Sequence, residues 1–151
     1  MAVKAIPDGY YSLTPYLVCK DAAKAIEFYT KAFGAVEYTR MPGPGGRIMH
    51  AEVKIGNSML MLSDENPERG AVAPSGSGRS ASLMFYTDDV DAVFKRAVDL
   101  GATSIENPTD MFWGDRMGNL RDPFGHQWAI ATHKEDVSPE EMQKRMQAIG
   151  T

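Results

Sequence analysis

The sequence predicts an α+β fold in which two tandem βαβββ modules are followed by a C-terminal helix. The order of one strand, one helix and three further strands can be traced twice along the 151 residues. A segment rich in Pro, Gly and Ser separates the two copies, as a linker would. We therefore divide a single domain into module one at about 12–65, the linker at 66–80, module two at about 81–133 and a helix at 138–149.

Module one begins with an alternating segment, Leu13 to Val18, that predicts a strand. Asp21 is a suitable N-cap, and apolar residues then recur at helical spacing as far as Phe33, after which Gly34 ends the helix. Three further strands are predicted at residues 36–41, 48–55 and 58–63.

Module two repeats this order of elements. A strand is predicted at 82–87, a helix from Asp88 or Asp89 to Leu100, and a second strand at 103–106. The interval from capping aspartate to closing glycine is the same in both modules, Asp21 to Gly34 and Asp88 to Gly101. We infer an internal duplication from this repeated spacing.

The last two strands of module two are predicted from the stretch between Asp110 and Thr132, which concentrates aromatic rings, turn residues and charges. Asp122-Pro123-Phe124-Gly125 is typical of a tight turn, because Asp bonds the backbone ahead of it, Pro presets φ and Gly accepts a left-handed conformation. The segments on either side then form one hairpin. Beyond them, Ser138-Pro139-Glu140-Glu141 is typical of a helix start and predicts the C-terminal helix.

The composition argues against several classes of partner. The formal charge of -4 and the absence of a Lys/Arg block disfavour nucleic acid and an anionic membrane. Cys19 is the only cysteine, so no disulfide framework and no cysteine zinc site is expected. The sequence has no apolar segment of signal-peptide or membrane-spanning length, and we expect a cytoplasmic protein.

One helix can cover only one face of its sheet, so the other face of each module must meet the sister module or a ligand. We therefore expect a curved mixed sheet around a cup. Alternation directs six residues towards the helices: Leu60, Leu62, Leu83, Phe85, Trp128 and Ile130. The cup is then lined by Thr14, Tyr16, Met59, Met61, Ser63, Ser82, Met84, Tyr86, Gln127 and Ala129.

Three motifs point to a known family: Ala25-Ile26-Glu27-Phe28-Tyr29 in the first helix, Gly34-Ala35 after it, and Asp122-Pro123-Phe124-Gly125-His126 before the last strand. With them the chain resembles the vicinal oxygen chelate superfamily, which contains glyoxalases, ring-cleaving dioxygenases and bleomycin- or fosfomycin-resistance proteins. A closer resemblance to the PhnB-like branch is carried by Thr14-Pro15-Tyr16-Leu17-Val18, His50-Ala51-Glu52, Trp113-Gly114-Asp115-Arg116, Ala131-Thr132-His133 and Ser138-Pro139-Glu140-Glu141. The resemblance covers almost the whole chain and implies a homodimer; the need to cover sheet edges favours one too. We take residues 1–151 as a single domain of this type.

Enzymes of that superfamily hold a divalent metal in the cup through His or Glu from the first and last strands of each module. The matching positions here are Thr14, Met61, Ser82 and Ala129. None of these side chains is a good ligand, and a register shift of one would substitute only Leu60 or Leu62. We therefore expect the usual metal site to be absent and no cofactor to be needed. A relocated divalent metal at His50 and Glu52 is the alternative.

Two groups of residues are candidates for binding or catalysis. His50 and Glu52 are two residues apart on a predicted strand and therefore share a face. They are interpreted as a hydrogen-bonded pair or a metal site, and His50 alone as a general base. The second group is Trp113, Asp115 and Arg116. One interpretation is that they bind a planar or anionic molecule. The other is that they are structural, with Asp115 paired to Arg116. The predicted ligand-binding set is Tyr16, His50, Glu52, Ser82, Tyr86, Trp113, Asp115 and Arg116, with His50 the candidate catalytic residue. His126 and His133 are expected to be structural or solvent-facing.

The sequence therefore predicts a protein that binds a small organic molecule without the family's usual metal. The alternative is a metal-dependent or His-based lyase, isomerase or dioxygenase that acts on a small organic substrate. A third reading is a chain with only a structural or regulatory partner.

Overall fold

The computed structural model of the chain describes residues 2–150. The chain forms two compact units, one ending at Gly76 and the other beginning at Ser77, so the boundary lies inside the predicted linker. Each unit contains a four-stranded mixed sheet and one helix in βαβββ order, and a further helix follows the second unit's sheet. The predicted α+β class and the two modules are confirmed.

Unit 1 has the elements β1 (Tyr16–Cys19), α1 (Ala22–Phe33), β2 (Val36–Pro42), β3 (Ile48–Ile55) and β4 (Ser58–Asp64). The sheet order is β1-β4-β3-β2, with β1 parallel to β4 and the other pairs antiparallel. The side chain of Asp21 accepts a hydrogen bond from the backbone nitrogen of Lys24 at 3.1 Å, and Gly34 ends α1 with φ of 71°. Both predicted helix boundaries are therefore confirmed.

Unit 2 has the elements β5 (Leu83–Tyr86), α2 (Val90–Asp99), β6 (Thr103–Asp110), β7 (Asp115–Arg121), β8 (Gln127–His133) and α3 (Pro139–Ile149). Its sheet order, β5-β8-β7-β6, matches that of unit 1, and β5 is again parallel to β8. The first strand of each unit pairs with the last in the same way, Tyr16 with Met61 and Met84 with Ala129. The two units therefore share their strand pairing as well as their order of elements.

Two strand boundaries differ from the prediction. β1 begins at Tyr16 rather than Leu13, because Pro15 has no N–H to donate to the ladder, although its carbonyl accepts from Met61. β6 runs to Asp110 rather than ending at Glu106. It tolerates Pro108 because it is an edge strand whose register shifts after Glu106.

The predicted equality of the two capping intervals is wrong. The side chain of Asp89, not of Asp88, caps α2 by accepting from the backbone nitrogen of Ala92 at 3.1 Å. α2 therefore begins at Val90, one residue later than the spacing predicted. It has 10 residues, whereas α1 has 12. The duplication is visible in the strand pairing rather than in the helix lengths.

Each sheet buries one face against its own helix. Leu60, Leu62, Trp128 and Ile130 are buried as predicted, whereas Leu83 and Phe85 are only partly buried. In unit 2 the phenyl ring of Phe94 on α2 packs over Gly118 of β7, where an added Cβ would lie 2.8 Å from the ring. Gly118 therefore lets the helix approach the sheet closely.

The faces predicted to line the cup are less open than expected. Met59, Gln127 and Ala129 are each no more than 8% exposed, so β8 is buried on both faces. The more exposed members of that set include Tyr16, Met84 and Tyr86. Among the residues that the structure describes, no helix is long and apolar enough to cross a membrane.

Candidate functional site

The helix-free face of unit 1, which is the sheet face opposite α1, carries a row of side chains on three adjacent strands. Strand pairing places Tyr16 beside Met61 and Met61 beside Glu52. His50 lies two residues before Glu52 on β3 and so points to the same side. Leu17, Leu62 and Ala51 form the next row, and all three are buried on the α1 side.

Four polar side chains on this face form a continuous chain of hydrogen bonds, which we call the Tyr16 network: Tyr16, His50, Glu52 and Tyr10. The hydroxyl of Tyr16 lies 3.0 Å from Nδ1 of His50, and Nε2 of His50 lies 3.2 Å from Oε1 of Glu52. The hydroxyl of Tyr10, from the segment before β1, donates to the Glu52 carboxylate. The predicted pairing of His50 with Glu52 is present and is extended by a tyrosine at each end.

The electrostatics of the Tyr16 network favour a charged Glu52. The hydrogen bond from Tyr10 lowers the pKa of the Glu52 carboxyl, with burial opposing and the bond from His50 assisting. Burial and the neighbouring carboxylate raise the pKa of Tyr10 to about 12. At neutral pH the network therefore pairs the Glu52 carboxylate with a neutral Tyr10 phenol.

A second cluster lies on the sheet face of unit 2 opposite α2. We call it the Asp115 cluster: Asp115, Tyr86, Trp113 and His133. The Asp115 carboxylate is 4% exposed and accepts from the Tyr86 hydroxyl at 2.9 Å and from the Trp113 indole nitrogen at 3.1 Å. Its other oxygen lies 2.8 Å from Nδ1 of His133, which faces it across β7 and β8. Burial raises the pKa of Asp115, but these three hydrogen bonds outweigh it and hold the pKa below its ordinary value.

His133 is bound on both sides by carboxylates. Its Nε2 lies 2.8 Å from Asp136 and its Nδ1 2.8 Å from Asp115. The bonds to Asp136 and then Asp115 raise the pKa of His133. In its protonated form the ring donates from both nitrogens to these carboxylates, which leaves no lone pair for a metal or for a base. His133, which the sequence predicts to be structural or solvent-facing, has a half-exposed side chain that contacts both carboxylates.

Arg116 does not join the Asp115 cluster. It points to the α2 side of β7, where it forms ion pairs with Asp91 at 2.8 Å and with Asp110 at 3.3 Å. These bonds raise the pKa of Arg116 and lower that of Asp91. The sequence predicts either a joint binding set of Trp113, Asp115 and Arg116 or a structural pair of Asp115 with Arg116. The structure brings only the first two together, because neighbouring residues of a strand point to opposite faces.

The positions that match the superfamily's metal ligands do not fit a divalent metal. Thr14 lies before β1, Ser82 lies before β5, and Met61 and Ala129 lie in the last strands. A thioether and a methyl group offer no hard donor to such an ion. Over residues 2–150, no group of three or more His, Cys, Asp and Glu side chains is arranged to hold a metal.

Each unit also contains an open cavity at one end of its sheet. The cavity of unit 1 is about 460 Å³ and is lined by Lys20, Asp21, Gly45, Gly46, Arg47, Asp64, Glu65 and Pro67. The cavity of unit 2 is about 370 Å³ and is lined by Asp110, Met111, Gly114, Asp115, Lys134 and Glu135. Of these two cavities, only the second is lined by a predicted binding residue, Asp115.

Two members of these clusters were not predicted from the sequence. Tyr10 lies outside every predicted element. The one local signal is the Pro7-Asp8-Gly9 turn, in which the backbone N–H of Tyr10 donates to the carbonyl of Pro7. His133 was assigned no partner, since its two carboxylates become neighbours only through the β7–β8 pairing and the turn that follows.

Comparison with known proteins agrees with this architecture. A model of the glyoxalase/bleomycin resistance protein/dioxygenase superfamily matches residues 12–130. An uncharacterized protein of Mycobacterium bovis is 40% identical over 154 residues, which span 99% of this chain and 99% of that protein. The anthracycline biosynthesis protein DnrV of Streptomyces peucetius is 29% identical over 116 residues, which span 73% of this chain and 42% of DnrV.

Solved structures show the same fold. TioX from Micromonospora sp. ML1 superimposes with a TM-score of 0.65 at 27% identity, over 82% of this chain and 98% of TioX. The PhnB protein of Bacillus cereus superimposes with a TM-score of 0.64 at 17% identity, over 81% of this chain and 99% of that one. The resemblance seen in the sequence is confirmed: the chain belongs to the glyoxalase/bleomycin resistance protein/dioxygenase superfamily.

Proposed function

We propose that this protein binds a small organic molecule on the helix-free face of unit 1, without the divalent metal that enzymes of the superfamily use. The observation that carries the proposal is the Tyr16 network beside Met61. The position of the family's ligand holds a thioether, while the polar groups next to it are already hydrogen-bonded to one another. Such a surface suits recognition of an organic ligand by an apolar contact and an oriented hydroxyl.

The exposed groups around the network support a planar, largely apolar ligand. Tyr16 is 49% exposed and Met41, which pairs with His50 across β2 and β3, is 58% exposed. A tyrosine ring and flexible methionines are side chains that adapt to flat aromatic molecules. The relative named for anthracycline biosynthesis supports the same class, since anthracyclines are planar polycyclic compounds.

Binding of an anthracycline, measured by isothermal titration, tests this proposal. We expect Tyr16→Phe to weaken binding about three- to tenfold, the value of one hydrogen bond, and His50→Ala to weaken it similarly. Tyr11→Phe is the matched control, because Tyr11 is 68% exposed and lies outside the network. Arg116→Ala should also bind like the parent protein, since Arg116 is engaged on the α2 side. Equal binding by all four variants would remove the network from the site.

The alternative is an enzyme in which His50 and Glu52 hold a relocated metal or His50 acts as a base. Their 3.2 Å hydrogen bond on a partly exposed face favours it. A metal bound at His50 would have to displace Tyr16 or Glu52 from a ring nitrogen. Elemental analysis of protein purified without chelators separates the two functions. Stoichiometric metal that is lost in His50→Ala, or binding that EDTA abolishes, would overturn the metal-free proposal.

We also propose that the chain forms a homodimer. All seven residues of the edge strand β2 are exposed, and proteins commonly cover such an edge. Sedimentation equilibrium tests this, and a monomer at every concentration would contradict it.

A further inference from the structure

The hydrogen bonds of the Tyr16 network have a definite direction, which starts at Glu52. The Glu52 carboxylate is ionised at neutral pH, since the bond from Tyr10 keeps its pKa below the ordinary value. An ionised carboxylate can only accept hydrogen bonds. Nε2 of His50, 3.2 Å away, must therefore carry the proton and donate it to Glu52.

This direction passes through the ring to Tyr16. In the neutral form of the His50 ring, a proton on Nε2 leaves a lone pair on Nδ1, so Nδ1 is an acceptor. The hydroxyl of Tyr16, 3.0 Å from Nδ1, must then donate its only proton to His50. The Tyr16 oxygen is left with lone pairs alone for any other partner, and the Tyr16 side chain as a whole is 49% exposed.

We propose that Tyr16 makes the site selective for ligands that carry a hydrogen-bond donor, such as a phenol, an aromatic alcohol or an aromatic N–H. The inference rests on the proposed function and names the chemistry of its ligand. An ether or carbonyl oxygen at the same place would meet another acceptor. A carboxylate would in addition approach the negative charge of Glu52, two positions along the Tyr16–Met61–Glu52 row.

Two probes of equal ring size test this selectivity, 2-naphthol and 2-methoxynaphthalene. Both offer the same apolar surface, but only the naphthol can donate to Tyr16. We expect the parent protein and the Tyr11→Phe control to prefer the naphthol about three- to tenfold, as one hydrogen bond predicts. Tyr16→Phe should bring the ratio of the two affinities close to one.

The His50→Ala variant separates the direction of the bond from the mere presence of a tyrosine. Without Nδ1, the Tyr16 hydroxyl can turn and donate outwards, so the methoxy probe should gain affinity relative to the naphthol. If the variant keeps the parent preference, His50 does not orient Tyr16 and the inference is overturned.

The proton positions can be checked without any ligand, by ¹⁵N NMR of the His50 ring at a pH where the ring is neutral. We expect the proton on Nε2 and the lone pair on Nδ1; the opposite tautomer overturns the inference whatever the probes do. If the tautomer is as expected and both probes bind equally, with shifts at Tyr16 and Met61, the selectivity is wrong and the proposed function stands. If neither probe binds, the proposed function fails and the selectivity fails with it.

Discussion

Asp64 and Thr132 occupy equivalent positions in the two units. Each lies in the strand that comes last along the chain, β4 or β8, and accepts a hydrogen bond from the first residue of α1 or α2. The carboxylate of Asp64 accepts from the backbone nitrogen of Ala22 at 2.7 Å, and the hydroxyl of Thr132 accepts from that of Val90 at 2.8 Å. A helix start that would otherwise be buried without a partner is thereby tied to its own sheet.

Removing either acceptor should destabilise its unit. Asp64 also accepts from the backbone nitrogen of Ile48 at 2.7 Å, and Thr132 donates to the carbonyl of Thr87 at 2.8 Å. We expect Asp64→Ala and Thr132→Val each to lower the free energy of unfolding by about 1–3 kcal/mol, because buried N–H groups are left without acceptors. Urea denaturation measures this. Losses below about 0.5 kcal/mol would show that water replaces the missing acceptors.

The neighbouring aspartates at the start of α2 provide a matched pair. Asp89 caps the helix and Asp88 is exposed and precedes the cap. Asp89→Ala should cost about 1 kcal/mol of stability, whereas Asp88→Ala should change it by less than about 0.5 kcal/mol. The same denaturation assay compares them, and a larger loss for Asp88→Ala would contradict the observed cap.

Asp122 should be the most sensitive residue of the β7–β8 turn. It is 3% exposed and accepts from the backbone nitrogens of Phe124 and His126 at 2.9 Å and 3.0 Å and from the Trp128 indole at 2.8 Å. We expect Asp122→Ala to destabilise by about 3–5 kcal/mol, since three donors lose one buried acceptor. Asp122→Asn should cost less, because its amide oxygen can still serve the backbone. Trp fluorescence during denaturation reports both changes, and an equal cost for the two would contradict this account.

His133 should make stability depend on pH. Its folded pKa is raised above the ordinary value of about 6.5, first by Asp136 and then by Asp115, so the stabilisation is complete below about pH 6.5. It is lost as the pH rises through the folded pKa.

We therefore expect His133→Gln to lower the denaturation midpoint at about pH 6 and to have little effect at about pH 9. Asp136→Asn should reduce this pH dependence, since Asp136 makes the larger contribution. A difference between parent and His133→Gln that grows with rising pH would contradict the assignment.

The sequence by itself determined the two βαβββ modules, the linker between them and most of the turns. These features depend on neighbours within a few residues: Asp21 caps α1 through a contact three residues away, and Asp122 orders its own turn. The sequence could not choose between Asp88 and Asp89, since both can cap and only packing of α2 on its sheet selects one.

The site was decided by the tertiary structure. Tyr16 meets His50 across 34 residues and Tyr86 meets Asp115 across 29. Such contacts depend on the pairing of strands that are far apart in the chain. The position at which β7 begins, Asp115, sets which residues face α2: Asp115 faces away from that helix and Arg116 faces towards it. A shift of the strand register by one residue would exchange the faces of those two side chains. Residue types alone do not show this alternation, and they therefore suggested a joint site that the strand separates.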